Sequence, residues 1–333
     1  MGVKALRKIQ LGQESTGSFG TAVAATALWR GTGTIADNRV VEFPEEDIGY
    51  LSGTDRSYTP QVEAGLTFED TPATFEQIHY VLQAGLEKVS ATSGDTDYVW
   101  QYDFPTTSAN NIQAFTIEGG DDENAVEMEY SFVQSFTLSG SGGEAWMLSA
   151  DWIGRQVTST GVTFSTGVSV PSVEEILFSK TKLYIDSSTG SFGGTQVSNT
   201  LLSATVNVNT GIKPKYTAEG QKYFSFHFND MPEITLDVTF EHDSNAVTEF
   251  ENWQDETARL IRLESTGSDL ASSGTTYADK TMIIDMAGKW ESFDAIGDED
   301  GNDILTGTFR ARYNATASDF GKIIIVEDNN TLT

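Results

Sequence analysis

Two stretches of this 333-residue chain spell the same corner. "GLTFEDTPATFEQIHY" begins at Gly65 and "DVTFEHDSNAVTEFENW" at Asp237. Each alternates apolar and polar residues, reaches Thr-Phe-Glu, turns, and enters a helical period. Alternation with period two marks a strand buried on one face, and three-to-four spacing marks an amphipathic helix. In the first stretch Phe75, Ile78, Leu82 and Leu86 make the stripe, with Thr71 placed as N-cap and Pro72 in the first turn. In the second the stripe is Val247, Phe250 and Trp253, with Ser244 or Asn245 as cap. A helix with one apolar face covers one sheet. The repeated corner therefore predicts two tandem β-sandwich units, each flanked by one α-helix. The competing reading is a chance match of two strand–helix corners.

Strand patterns dominate elsewhere, in "AFTIEGG", "NAVEMEYSFVQSFTLSG", "LLSATVNVNTG", "EITLDVTFE" and "KIIIVED". "KYFSFHF" predicts Phe224, Phe226 and Phe228 on one face, with Ser225 and His227 on the other. Residues 1–40 are rich in Gly, Thr and Ala and carry little amphipathic period. They read as an N-terminal arm that orders on a neighbour. Residues 41–157 form the first unit, the polar stretch 158–175 a linker, and residues 176–333 the second unit. The excursion 209–222, longer than a hairpin turn, is expected to order between subunits as well.

There are 49 acidic residues against 20 Lys plus Arg, a net charge of −29. Such a surface repels nucleic acid and anionic membranes, since binding phosphate needs Lys and Arg. It suits either a soluble or salt-adapted surface or a wall that a polyanion passes without sticking. The absence of cysteine excludes disulfides, thiol catalysis and thiolate zinc sites. No stretch reads as a signal peptide or a membrane span, so the product is expected to stay in the cytoplasm where it is made.

The sequence offers no catalytic constellation. His79, His227 and His242 lack metal-ligand spacing to one another. "GDEDGND" sets Asp298, Asp300 and Asp303 close together, as a calcium loop would. Its register is wrong for an EF-hand, and Asp300-Gly301 is a hairpin signal. A solvated turn is the favoured reading there, and again at "EGGDDENAVE", 118–127. The expectation is a protein that is not an enzyme, with no catalytic, cofactor-binding or metal-binding residues.

"LGQESTGSFGTAVAATALW", "SFVQSFTLSGSGGEAWMLSADWIGRQV", "LLSATVNVNTG" and the ending "DILTGTFRARYN…GKIIIVED" together resemble the tail tube (major tail) proteins of long-tailed bacteriophages and related archaeal tailed viruses. The resemblance covers most of the chain through strand patterns and turn positions. It implies a structural virion protein without catalytic residues. In that family a β-sandwich flanked by a helix lends strands to a barrel shared around a ring. Rings stack into a hollow tube, and DNA passes down it at ejection. Six-fold rings are common there, so a chain with two units implies a trimer, and a chain with one implies a hexamer. The implied partners are other copies of the chain, a tape-measure protein inside the tube, and tail terminator and tail-tip proteins. The implied location is the virion tail, assembled in the host cytoplasm. The alternative is a secreted or surface β-sandwich module that binds carbohydrate or a receptor. A glycosidase-like all-β enzyme comes last.

Overall fold

The computed structural model describes residues 2–93 and 98–332. It is mainly β, with two α-helices among the described residues. The first half contains β1 (Lys8–Gln13), β2 (Ala27–Leu28), β3 (Gly33–Asp37), the hairpin β4 (Val40–Glu42) and β5 (Tyr58–Gln61), and β6 (Ala64–Pro72). These lead to α1 (Ile78–Gly85), then β7 (Thr92–Ser93), β8 (Tyr98–Asp103), β9 (Phe115–Gly120), β10 (Ala125–Ser141), β11 (Met147–Gly154) and β12 (Val157–Thr158). The second half contains β13 (Thr181–Ser187), β14 (Gln196–Val197), β15 (Leu201–Asn209), the hairpin β16 (Ile212–Lys215) and β17 (Phe226–Asn229), and β18 (Glu233–Glu241). It continues with α2 (Ser244–Gln254), β19 (Arg259–Asp269), β20 (Asp279–Phe293), β21 (Gly297–Glu299), β22 (Asn302–Ala311) and β23 (Gly321–Glu327).

The pairing order of the first half recurs in the second. One sheet runs β2-β1-β9-β10-β12, and its counterpart runs β14-β13-β19-β20-β23. A second set runs β3-β6-β11-β10, and its counterpart runs β15-β18-β22-β20. All these pairings are antiparallel. The long strands β10 and β20 each serve two sheets, one with each end.

Each crossing strand changes partners at a local irregularity. In β10 the register shifts between Met128 and Ser131, and Tyr130 adopts a φ of 53°. A bulky residue pays strain there. Its N–H donates to Glu14 Oε1 (2.7 Å), and the Arg155 guanidinium lies 4.7 Å from its ring centre. In β20 the change falls at Gly288, which pairs with both Arg259 and Ala311. A Cβ there would come within 2.1 Å of the Arg310 carbonyl, so only glycine fits.

The halves are joined edge to edge where β10 pairs with β15 from Ser135↔Asn209 to Ser141↔Ser203. The resulting open sheet runs β3-β6-β11-β10-β15-β18-β22-β20, eight strands in all. A second junction pairs β8 of the first half with β23 of the second. The main apolar core passes through both halves, from Leu11 and Phe68 to Phe240 and Ile325. Residues 158–175 therefore do not divide the chain into separately packed bodies.

Several expectations need correction. Residues 1–40 are not a loose arm. Ile9 and Leu11 point into the core from β1, which pairs with β9 along its length, and Trp29 stacks on Phe68 at 4.3 Å. The segment hid its pattern because its strands are short and broken by turns. The excursion 209–222 is folded within the chain too: Ile212 is buried, and β16 pairs with β17. Thr71 and Pro72 belong to β6 and do not start α1. The hydroxyl that meets the helix entrance is Thr74's, which accepts from the Gln77 N–H at 3.3 Å. Asp243 caps α2, one residue before the expected Ser244, and its carboxylate accepts from the N–H groups of Asn245 and Ala246. Phe224 is fully buried, but Phe226 and Phe228 are exposed. The packed side of β17 carries His227, whose Nδ1 lies 3.1 Å from the Tyr130 hydroxyl.

Candidate functional site: the polar face and free edges of the eight-stranded sheet

Strand alternation divides the large sheet into two unlike faces. Phe68, Leu138, Trp152, Val206, Leu236 and Phe309 point inward and are buried. The opposite face is a lattice of small polar groups. The Thr67 hydroxyl donates to Asp151 Oδ1 (2.8 Å), and the Ser135 hydroxyl to Asp151 Oδ2 (3.1 Å). Thr137 donates to Asn207 Oδ1 (3.1 Å), the Asn207 amide to Asp237 (3.3 Å), and the Thr308 hydroxyl to Asp237 Oδ1 (2.6 Å). Thr239 and Thr306 share a further bond at 3.1 Å. These bonds run across the strands, and the row from Thr137 through Asn207 and Asp237 to Thr308 ties the two halves together laterally.

Arg310 on this face is held by carboxylates on both sides. Its Nε donates to Glu291 (2.7 Å), and its Nη1 pairs with Glu233. Those hydrogen bonds raise the guanidinium pKa further and lower that of Glu291. The cation is thus neutralised locally and is not presented as a phosphate ligand. Beside Arg310 and its cross-strand neighbour Lys289, what the face offers is hydroxyls, amides and carboxylates.

The sheet has two unpaired margins among the described residues. β3 pairs with β6 on one side only, and the end of β20 pairs with β22 on one side only. Beside the β20 margin lies an apolar groove of about 290 Å³ between α2 and the stretch Asp294–Ile296. The two helices differ accordingly. α1 is buried along its whole length, whereas in α2 only Ala246 and Glu249 are buried and Val247 is exposed. Phe250 and Trp253 are half-buried against Phe293.

The remaining candidates are scattered. His79 is fully buried, with Nδ1 2.7 Å from the Tyr102 hydroxyl and Nε2 2.8 Å from Glu327 Oε1. His227 packs on Tyr130 and Phe132, and His242 lines the apolar groove. The structure brings no two of these histidines together. Asp298 and Asp303 face each other across the β21–β22 hairpin, whose two turn residues Asp300 and Gly301 both have positive φ. Among the described residues, no group of three or more His, Asp or Glu is arranged to hold a metal. In 118–127, Asp121 Oδ1 accepts from the N–H groups of Glu123 and Asn124, a turn as read. Glu118, however, is buried against Ser165.

Sequence reasoning missed the lattice itself, although "SFVQSFTLSG" carries its signal in Ser135, Thr137 and Ser139 at alternate positions. It also missed the buried carboxylates around Glu14, Glu118 and Glu129, which lie far apart in the chain. No helix among the described residues is long and apolar enough to cross a membrane. Comparison with protein-family models and with curated proteins gave no match.

Proposed function

We propose that this chain is the repeating subunit of a viral tail tube. It is built of two tandem tail-tube-like units, and three chains form a ring. The observation that carries this reading is the β10–β15 junction. It joins two halves of like pairing order edge to edge and leaves β3 and the end of β20 without a strand partner on their outer sides, the Glu291 carbonyl there accepting from Trp253 Nε1. Repeating that junction between chains removes both exposed margins of this eight-stranded sheet when the rotation closes. Three chains then supply six units and a continuous barrel wall.

The polar face supports the same reading. Lining a tube, it presents mostly hydroxyls and carboxylates, its Arg310 is already engaged, and its Lys289 is a single point charge, so DNA finds no multidentate phosphate contact and slides. The net charge of −29 acts in the same direction. On this proposal the tape-measure protein occupies the lumen before DNA does, and terminator and tip proteins close the ends. The protein's place is the virion tail, and it performs no catalysis.

Native mass spectrometry and cryo-electron microscopy of concentrated protein test this. Three-chain rings or tubes are the expected result. Six-chain rings with one unit per chain at the lumen would overturn the two-unit reading. Dispersed monomers would favour a surface binding module.

A further inference from the structure

Each half is preceded by a short segment that ends in a single 3-10 turn, Lys4–Leu6 before β1 and Phe178–Lys180 before β13. Both segments lean on the hairpin end of their own half. The Val3 N–H donates to Asp122 Oδ1 (2.9 Å) in the β9–β10 turn. Likewise the Ser268 N–H, near the end of β19, donates to Glu174 Oε1 (2.6 Å).

The segment of the second half also has something to hold. It lies across the corner where β6 leads into α1. The Ile176 N–H donates to the Ala73 carbonyl (2.8 Å), the Trp146 N–H to the Ile176 carbonyl (2.8 Å) and the Phe178 N–H to the Glu144 carbonyl (3.0 Å). Ile176 and Phe178 are buried by this contact. The segment of the first half has no such cover: Val3 is 46% and Leu6 54% exposed.

The corresponding corner of the second half, where β18 leads into α2, is the open groove. Val247, Phe250, Ile296 and Leu305 line it, and Ile296 is 58% exposed. The adjoining hairpin carries Asp298, Glu299, Asp300 and Asp303, while the uncovered segment carries the exposed cations Lys4 and Arg7.

We infer that this groove binds residues 2–7 of a second copy of the chain, as the corner of the first half binds residues 174–178 of its own. The inference rests on the ring reading, because it takes the junction within the chain as the pattern for the junction between chains. Val3 and Leu6 enter the groove, and Lys4 and Arg7 meet the carboxylates of the β21–β22 turn. Two exposed apolar surfaces are thereby covered together, with opposite charges at their rims.

The cysteine-free sequence makes this directly testable. The double variants V3C/I296C and L6C/I296C change only exposed positions. Under mild oxidation at assembly concentration, at least one of them is expected to give reductant-sensitive dimers and trimers, while the single-cysteine variants do not. A charge variant, V3D/L6D, is expected to raise the concentration needed for assembly about tenfold or more. Three-chain rings without cross-links in either double variant would overturn the clasp and leave the ring standing. No rings and no cross-links would overturn both. Cross-linking without three-chain rings would support the clasp and overturn the ring. Equal cross-linking of a single-cysteine variant would mean a symmetric contact of another kind and would overturn the clasp.

Discussion

The hydroxyl of Thr137 donates to Oδ1 of Asn207 across 3.1 Å, and with that bond a strand of the first half is tied to a strand of the second. The two residues lie 70 positions apart in sequence. Their pairing makes one sheet out of two similar halves and leaves that sheet with an unmatched margin at each end.

Hydrogen exchange should separate the internal junction from the external one. Amides of β10 and β15 are expected to be protected in the isolated chain, since both strands are paired there. Amides on the free margins of β3, at Gly33, Ile35 and Asp37, and of β20, at Phe293, should gain protection only on assembly, because the amides between them already face β6 and β22. Unchanged exchange at both margins in assembled material would remove the edge-to-edge model.

The two helices should respond differently to truncation. Phe75, in the turn that enters α1, is fully buried, so Phe75→Ala should cost about 3–5 kcal/mol in thermal or denaturant unfolding. Phe250 is only half-buried beside an open groove, so Phe250→Ala should cost the isolated chain roughly 1–2 kcal/mol and weaken assembly more than folding. Equal losses in the two variants would mean that α2 is as fully packed as α1.

A buried polar contact locks α1 to the last strand. His79 Nε2 approaches Glu327 Oε1 at 2.8 Å, close enough for an ion pair although not aligned as a hydrogen bond. Both side chains are inaccessible to water. Removing one partner leaves the other uncompensated, so His79→Leu or Glu327→Leu alone should cost about 3–5 kcal/mol. The double variant should recover much of that loss. Additive losses in a double-mutant cycle would show that the two groups do not interact.

The pH dependence of stability should have an acid-favouring component. Burial holds the Glu127 and Glu129 carboxyls above the usual glutamate range, and nearby Glu14 pushes both the same way. A carboxyl raised in the folded state contributes stability that is fully present below its ordinary value of about 4.3 and is lost as pH rises through the raised value. Glu129→Gln should therefore raise the melting temperature near neutral pH and change it little below pH ~4. A variant less stable at neutral pH would show that the charged form is favoured by folding.

Local chemistry alone determined a good deal of this protein. Alternation around Phe68 and Phe240 specified two buried strand faces, and both residues are fully buried. The polar residues ahead of Val247 specified a capped helix start to within one residue. Asp300-Gly301 specified a two-residue hairpin turn, because aspartate and glycine tolerate the positive φ it demands. The acid excess was legible as charge without location.

Tertiary structure decided the rest, because strand pairing between distant segments leaves no mark on the local period of either. Ile9 and Leu11 looked uncommitted until β9, more than a hundred residues away in sequence, supplied their hydrogen bonds. The helix stripes looked alike, yet His79 on α1 meets Tyr102 of β8 and Glu327 of β23, while Val247 on α2 stays open to solvent. Which stripe became core depended on what the rest of the chain could bring to it, and burial is a property of that whole arrangement.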